Sequence, residues 1–407
     1  MKKRLFCLLL AALIGTFSAM PVGAVYNRKT EETGAADLQI DPPETQAPGE
    51  PEPVSGWVQD ESGSWRLYKE GTALTGWQLD NNKWYYLGTD GVMLDGWQQI
   101  NGRWYLLRGG AMQTGWQMSG GKWYYLDPDS GAMKTGWQEV NGKRYYLTGT
   151  GAMKTGFMTE GSTVYTLDSS GAVASSKNLS SLSNKSYGWG QGTQVDALNR
   201  PVSAVSYQSQ FGDLGGVFIG PNEKTIYLTF DEGYENGYTA AILDTLKAKG
   251  VTATFFITGD YLKKEPGLVK RMIDEGHTVG NHTVSHPNLT KIGISARSDE
   301  LGGLHEQMEQ RFGYTMHLMR PPEGVFSEQV LAQAQGMGYQ TVLWSFAYKD
   351  WDPSNQMATS TAYQKATAAL HPGAVYLLHA VSKTNAAILG DFIDEVRRQG
   401  YAFGVLE

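Results

Sequence analysis

Thiols and imidazoles are scarce in this chain of 407 residues, which has one cysteine and seven histidines. Cys7 lies in an apolar stretch near the N-terminus, so no intrachain disulfide can staple the fold. Charge is thin as well. Only 18% of residues are charged, and acidic groups outnumber basic ones for a formal net charge of −7. A nucleic-acid-binding surface needs a basic footprint, which this balance does not supply. The apolar run Leu5–Ile14 falls short of the ~18–20 residues a bilayer-spanning helix requires. Against these shortages stand 50 glycines, 12 tryptophans and 22 tyrosines. The glycines keep no period of three, which excludes a collagen helix. A hydrophobic fraction of 41% suffices for buried cores and is too high for a disordered chain. The length implies two or three domains.

The chain divides by composition. Lys2, Lys3 and Arg4, the apolar run, and the small residues before Ala24 read as a signal peptide over 1–24. The mature protein is then expected to be exported, thiol-free and without a membrane span. Residues 25–54 interleave Pro42, Pro43, Pro48, Pro51 and Pro53 with Glu44, Glu50 and Glu52, a composition for an extended linker.

From Trp57 a repeat begins. Gly-Trp pairs at Trp57, Trp77, Trp97, Trp116 and Trp137, continued by Phe157, are spaced 19–21 residues apart. A second series, Trp65, Trp84, Trp104 and Trp123, runs between them, with turn pairs such as Asn101-Gly102, Gly120-Gly121 and Asn141-Gly142. Such a period predicts short β-hairpins that bury their aromatics only by stacking into a solenoid. The last units depart from the pattern, as terminal repeats do. Arg144 and Val164 take the place of the second Trp, and Phe157 that of the first. Residues 55–172 resemble the choline-binding type of cell-wall-binding repeat found on exported Gram-positive proteins. The resemblance implies aromatic cages that hold the quaternary ammonium of choline on teichoic acid, although related repeats hold other glycans. Trp77, Trp84, Tyr85, Trp97, Trp104, Trp116, Trp123 and Trp137 are the residues implied. A cation held over π faces lets an acidic protein grip an anionic wall polymer without a basic patch.

Residues 173–185, rich in Ser and Asn, read as a second linker. From 186 to 407 strand and helix signals alternate. Strands are predicted at 225–230, 253–259, 278–282, 318–322, 340–346, 374–379 and 401–406, with amphipathic helices at 239–249, 268–275, 300–312, 328–337 and 386–399. Seven strands in so short a span predict an irregular α/β barrel of the (β/α)7 kind, with its chemistry at the C-terminal strand ends. The whole chain is thus expected to be multidomain, a β-hairpin solenoid followed by that barrel.

All seven histidines lie between His277 and His379. Asp231 and Glu232 follow the first predicted strand, and the third ends in His282, with His286 four residues on. Two imidazoles so spaced, plus a carboxylate, can make an open catalytic metal site. Thr283 stands where a metalloprotease helix would carry Glu, which excludes that reading. Arg320, Asp350 and His379 follow at later strand ends, although Arg320 and Asp350 also suit purely structural ion pairs. His277 and His371 read as structural, and His305 and His317 as solvated.

Residues from about 222 to 407 resemble the polysaccharide deacetylase, or NodB-homology, family. Tyr234–Thr239, Arg320–Ser327, Pro372–Ser382, Asn385 and Gly188-Trp-Gly190 bring it nearest to the delta-lactam-biosynthetic de-N-acetylases of spore-forming bacteria. The resemblance implies that Asp231 is the general base and His379 the general acid. Asp350 would orient His379, and Arg320 would pair with Asp231. His282, His286 and Glu232 would hold a divalent metal, zinc by preference, with a backbone N–H near Glu323 assisting the oxyanion. Two positions differ from the family pattern, Glu232 where Asp is usual and Glu323 where Tyr is commoner. The implied protein is a secreted wall enzyme that deacetylates peptide-free N-acetylmuramic acid in the peptidoglycan glycan strand during cortex formation. An N-acetylglucosamine deacetylase of the vegetative wall, or a wall binder with a degenerate site, stand as alternatives.

Overall fold

The structure is a computed structural model and describes residues 53–406. The expected signal peptide and all but the end of the first linker lie outside the described residues. From Gly56 onward the repeats are hairpins. Gly76–Asp80 pairs with Lys83–Leu87, and Gly96–Ile100 with Arg103–Arg108. Gly115–Ser119 pairs with Lys122–Leu126, and Gly136–Val140 with Lys143–Leu147. Their two-residue turns carry positive φ at both positions, for example 50° at Asn101 and 77° at Gly102. That geometry matches the twist of the strands and selects Asn and Gly. Leu87, Leu107, Leu126, Leu147 and Leu167, one per hairpin, are buried along the stack. Neighbours are also locked by a methionine over a glycine. A Cβ added at Gly131 would lie 2.4 Å from Met112 Sδ, and one at Gly151 2.2 Å from Met133 Sδ. Only glycine leaves room for that side chain.

The repeat region extends further than its aromatic pattern. Val173–Asn178 forms a third strand against Thr163–Leu167, so the start of the expected 173–185 linker is sheet. Its side chains are mostly exposed, which is why its composition reads as linker while its backbone is paired. The remainder lies against the barrel: Leu179 is fully buried, and Asn184 Oδ1 accepts from Ser327 Oγ and Arg297 Nη2.

The catalytic half is the expected barrel. Its first strand (Thr225–Glu232) lies between the second (Thr254–Ile257) and the sixth (Ala374–His379), and the seventh (Ala402–Gly404) pairs with its lower end. The second continues to the third (Thr278–Asn281), the fourth (Leu318–Met319) and the fifth (Gln340–Val342), all parallel. Beyond the fifth strand the chain peels away and returns. Ser345 N–H then donates to Val375 O at 2.9 Å, and Leu377 N–H to Phe346 O at 2.8 Å, so the curled sheet closes on its sixth strand. The fourth strand is shorter than predicted because Pro321 and Pro322 have no N–H for a ladder. The helix Ile294–Phe312 begins six residues before the predicted 300. Its first turns bury Arg297 and Ser298, polar residues that hide the apolar period. Helices at Val202–Phe211 and Thr359–Ala368 add to the predicted set; the first is rich in Ser and Gln, and the second buries only the alanines Ala362 and Ala366, so neither shows a strong apolar period. The segment before the barrel belongs to it: Tyr187–Gly188 pairs with Val325–Phe326, and Trp189 Nε1 donates to Trp344 O at 2.9 Å.

The last hairpin packs on the barrel's outer helices. Val164 and Leu179 join the main hydrophobic core of the barrel. Lys154 Nζ meets Glu306 Oε1 at 2.8 Å, and Thr166 Oγ1 donates to Gly336 O at 2.7 Å. Phe157 sits edge-on to His305, ring centres 5.3 Å apart. His305 is therefore half-buried, its Nδ1 2.8 Å from Tyr339 Oη, and not solvated as its helix position had indicated. The sequence pattern cannot show a partner that lies almost 150 residues away. His317 is exposed, whereas His277 and His371 are buried, with Nδ1 accepting from Ala253 N–H and bonding Ala369 O respectively.

Candidate functional site

A cleft of about 460 Å³ opens at the C-terminal ends of the barrel strands, lined by Asp231, His282, His286 and His379, with Tyr234 and Trp351 also on its walls. Asp231 comes from the first strand, and its position depends on Arg320. The guanidinium is fully buried and donates from Nη1 to Asp231 Oδ1 at 2.7 Å and from Nη2 to Thr229 Oγ1 at 2.8 Å. Its Nε donates to Val342 O at 3.0 Å, so one side chain ties together the first, fourth and fifth strands. Burial alone would raise the Asp231 pKa; Arg320, then His282 and His379, outweigh it and hold the carboxyl below its ordinary value.

His282 and His286 sit on a strained loop. Thr283 and His286 have φ of 70° and 59°, rare for side-chain-bearing residues and costly for a β-branched one. Asn281 Oδ1 accepts Thr283 N–H at 2.9 Å, Thr283 Oγ1 accepts His286 N–H at 2.9 Å, and Glu300 accepts both Ser285 N–H and Oγ–H. The two rings come to 4.8 Å centre to centre. His282 Nδ1 lies 2.8 Å from Arg320 O, so that nitrogen carries the proton and Nε2 keeps its lone pair. Nε2 is 3.6 Å from Asp231 Oδ2. Burial, the largest influence, pushes the His282 pKa down to about 4, which keeps the ring neutral.

Across the cleft, His379 Nδ1–H donates to Asp350 Oδ1 at 2.7 Å. Asp350 Oδ2 accepts His379 N–H at 2.8 Å and Asn385 Nδ2–H at 2.6 Å. Asn385 in turn accepts from Tyr348 Oη. Burial disfavours the imidazolium here, but the Asp350 bond and charge prevail and raise the His379 pKa. The roles of Asn385 and Tyr348 escaped the sequence because nothing in it links their positions to Asp350.

Glu232 does not join His282 and His286. Successive strand residues face opposite ways; Asp231 enters the cleft, and Glu232 points behind it, fully buried, with neither carboxylate oxygen hydrogen-bonded. Burial, then the charges of Glu235 and Asp231, raise its pKa well above the ordinary carboxylate value. This corrects the expected ligand set. Among the described residues no three His, Cys, Asp or Glu side chains gather at metal-ligand spacing. The neutral His282 ring beside His286 has the donor chemistry of a two-imidazole site, which fits a metal, while the carboxylate expected from Glu232 does not. Glu323, with φ of 60°, does not line the cleft, and its carboxylate accepts from Asn288 Nδ2.

The aromatic sets of the repeats are assembled across hairpins. Trp77 lies 5.0 Å from Tyr105, Trp97 4.9 Å from Tyr124, and Trp116 4.9 Å from Tyr145, ring centre to ring centre. Trp84, Trp104 and Trp123 form the outer walls and are 40–41% exposed. Tyr85 belongs to a set outside the expected residues, 4.9 Å from Trp57, with Trp65 beside it in the register of the other outer walls. Tyr105, Tyr124 and Tyr145 were missed because each comes from the hairpin after the one that carries its Trp.

A parallel barrel with a carboxylate–guanidinium pair, two adjacent imidazoles and a carboxylate-braced imidazole at its strand ends defines a carbohydrate amide hydrolase. The polysaccharide deacetylase family model matches residues 219–342, the choline-binding repeat model residues 94–135, and the putative cell wall binding repeat model residues 75–93 and 135–153. The Bacillus subtilis peptidoglycan-N-acetylmuramic acid deacetylase PdaA is 44% identical over 225 residues, covering 55% of this chain and 85% of that one. The chain belongs to the polysaccharide deacetylase family. The Listeria monocytogenes peptidoglycan-N-acetylglucosamine deacetylase PgdA is 36% identical over 184 residues, 45% of this chain and 38% of its own. The solved structure of B. subtilis PdaA, described as a family 4 carbohydrate esterase, superposes with a TM-score of 0.53 at 43% identity, over 55% of this chain and 96% of that one. Family 4 deacetylases are generally divalent-metal dependent.

Proposed function

We propose that this protein is a secreted, wall-bound enzyme that removes the N-acetyl group from peptide-free N-acetylmuramic acid in peptidoglycan, leaving an amine able to close onto the lactyl carboxylate as the delta-lactam of spore cortex. The observation that carries the reading is the opposition, across one cleft, of an Asp231 kept ionised by Arg320 and a His379 kept protonatable by Asp350. Asp231 takes a proton from the attacking water, and His379 gives one from Nε2 to the departing amine. Asp350 holds the imidazole by Nδ1 and offsets its charge. A divalent cation, zinc by preference, held by His282 and His286 would polarise the acetyl carbonyl and acidify the water. Tyr234 and Trp351 offer faces on which a sugar ring can rest. The similarity to PdaA favours muramic acid over glucosamine. In this reading the wall anchor spans 55–178 and the enzyme proper 186–407, and the repeats hold the protein on a choline-bearing polymer such as teichoic acid.

The test is acetate release from two glycans, one of peptide-free muramic acid units and one of N-acetylglucosamine alone. Faster release from the first, lost in Asp231→Asn, is expected. Equal or faster release from the second would transfer the assignment to a glucosamine deacetylase, and release from neither would leave only a wall binder.

A further inference from the structure

The fifth aromatic set is already occupied by the protein itself. In four sets the outer wall is a tryptophan: Trp65, Trp84, Trp104 and Trp123, each 39–41% exposed. These residues share one register, diagonal across the hairpin from Trp57, Trp77, Trp97 and Trp116. In the hairpin Gly136–Leu147 that register holds Arg144, opposite Glu139. The rings of Trp137 and Tyr165 still meet at 4.8 Å, as their counterparts do. Arg144 Cζ lies 3.9 Å above the Trp137 ring centre and 5.6 Å from that of Tyr165. The guanidinium thus stands over the faces that would otherwise hold an external cation. No set follows it, because Phe157 and Val164 of the next hairpin are turned into the barrel.

We propose that Arg144 is a built-in ligand that closes the fifth set, so that the repeats take up quaternary ammonium groups at four sites and not five. An outside cation would have to displace a guanidinium tethered one side chain away, whose effective concentration exceeds that of any free ligand at ordinary levels. Arginine suits the place because its planar, weakly hydrated cation stacks on aromatic faces at little desolvation cost. The closed set lies beside the hairpin that docks on the barrel, where a bulky wall polymer would meet the catalytic half.

This inference rests on the choline reading of the repeats, and the experiment separates the two. Equilibrium dialysis of the full chain against radiolabelled choline chloride reads the number bound at saturation. Four are expected for the unmodified protein and five for Arg144→Trp. Trp137→Ala should still bind four, whereas Trp97→Ala should bind three; the retained four also show that the Trp137 variant keeps its stack. Five cholines on the unmodified protein, or loss of one in Trp137→Ala, overturns the closure alone. No choline on any of these proteins overturns the choline reading and the closure with it.

Discussion

His379 shows how one bond decides a side chain's charge. Burial favours the neutral ring, and the Asp350 carboxylate reverses that preference. In the proposed mechanism the acid form serves catalysis, so activity is lost as pH rises through this pKa, and raising it extends activity upward. In Asp350→Asn the alkaline limb of kcat/KM should move to lower pH, read from a pH–rate profile, while the acid limb stays in place. Asp231→Asn removes the proposed base and should lower kcat by roughly 10²–10⁴-fold with the fold intact by circular dichroism. At this scale much was legible. Asp231, His282, His286, Arg320, Asp350 and His379 follow strand ends, and strand ends meet in a barrel. Glu232, implied as a ligand by the family resemblance, faces away from the imidazoles because neighbouring strand residues point to opposite sides, and it is fully buried.

Hairpins and helices were legible wherever their periodicity was their own. The Gly-Trp period marks hairpins whose turns, inward leucines and methionine locks repeat with it. That lock gives a paired test. Gly131 has φ of 72°, and a Cβ there would meet Met112, whereas a Cβ at Gly149 meets nothing within 4 Å. Gly131→Ala should destabilise by about 1–3 kcal/mol in chemical denaturation. Gly149→Ala should stay within about 0.5 kcal/mol of the unmodified protein. Elements that depend on partners were not legible. The strand Val173–Asn178 has the composition of a linker because its side chains face water, and the first turns of Ile294–Phe312 bury Arg297 only because Ile292 O and Gln333 are there to accept from it.

For the whole molecule the consequence is a firm joint between anchor and enzyme. Val164 and Leu179 are completely buried in the barrel's core, and each contributes on the order of 1.5–3 kcal/mol by burial. A chain beginning at residue 186 should therefore unfold at a clearly lower temperature than one beginning at 154, which keeps the last hairpin; differential scanning calorimetry of the two checks this. Equal melting temperatures would show the joint to be dispensable.

The sequence by itself determined the repeat period, the barrel and the order of its polar strand ends, because these rest on local patterning that each segment carries alone. Tertiary structure decided what depends on direction and on distant partners. It turned Glu232 away from the imidazoles, braced His379 through Asp350 and Asn385, laid Arg144 over Trp137 and Tyr165, and buried the last hairpin in the barrel. Side-chain chemistry is written residue by residue, but which groups face each other, and which are kept from water, is settled only when the chain closes.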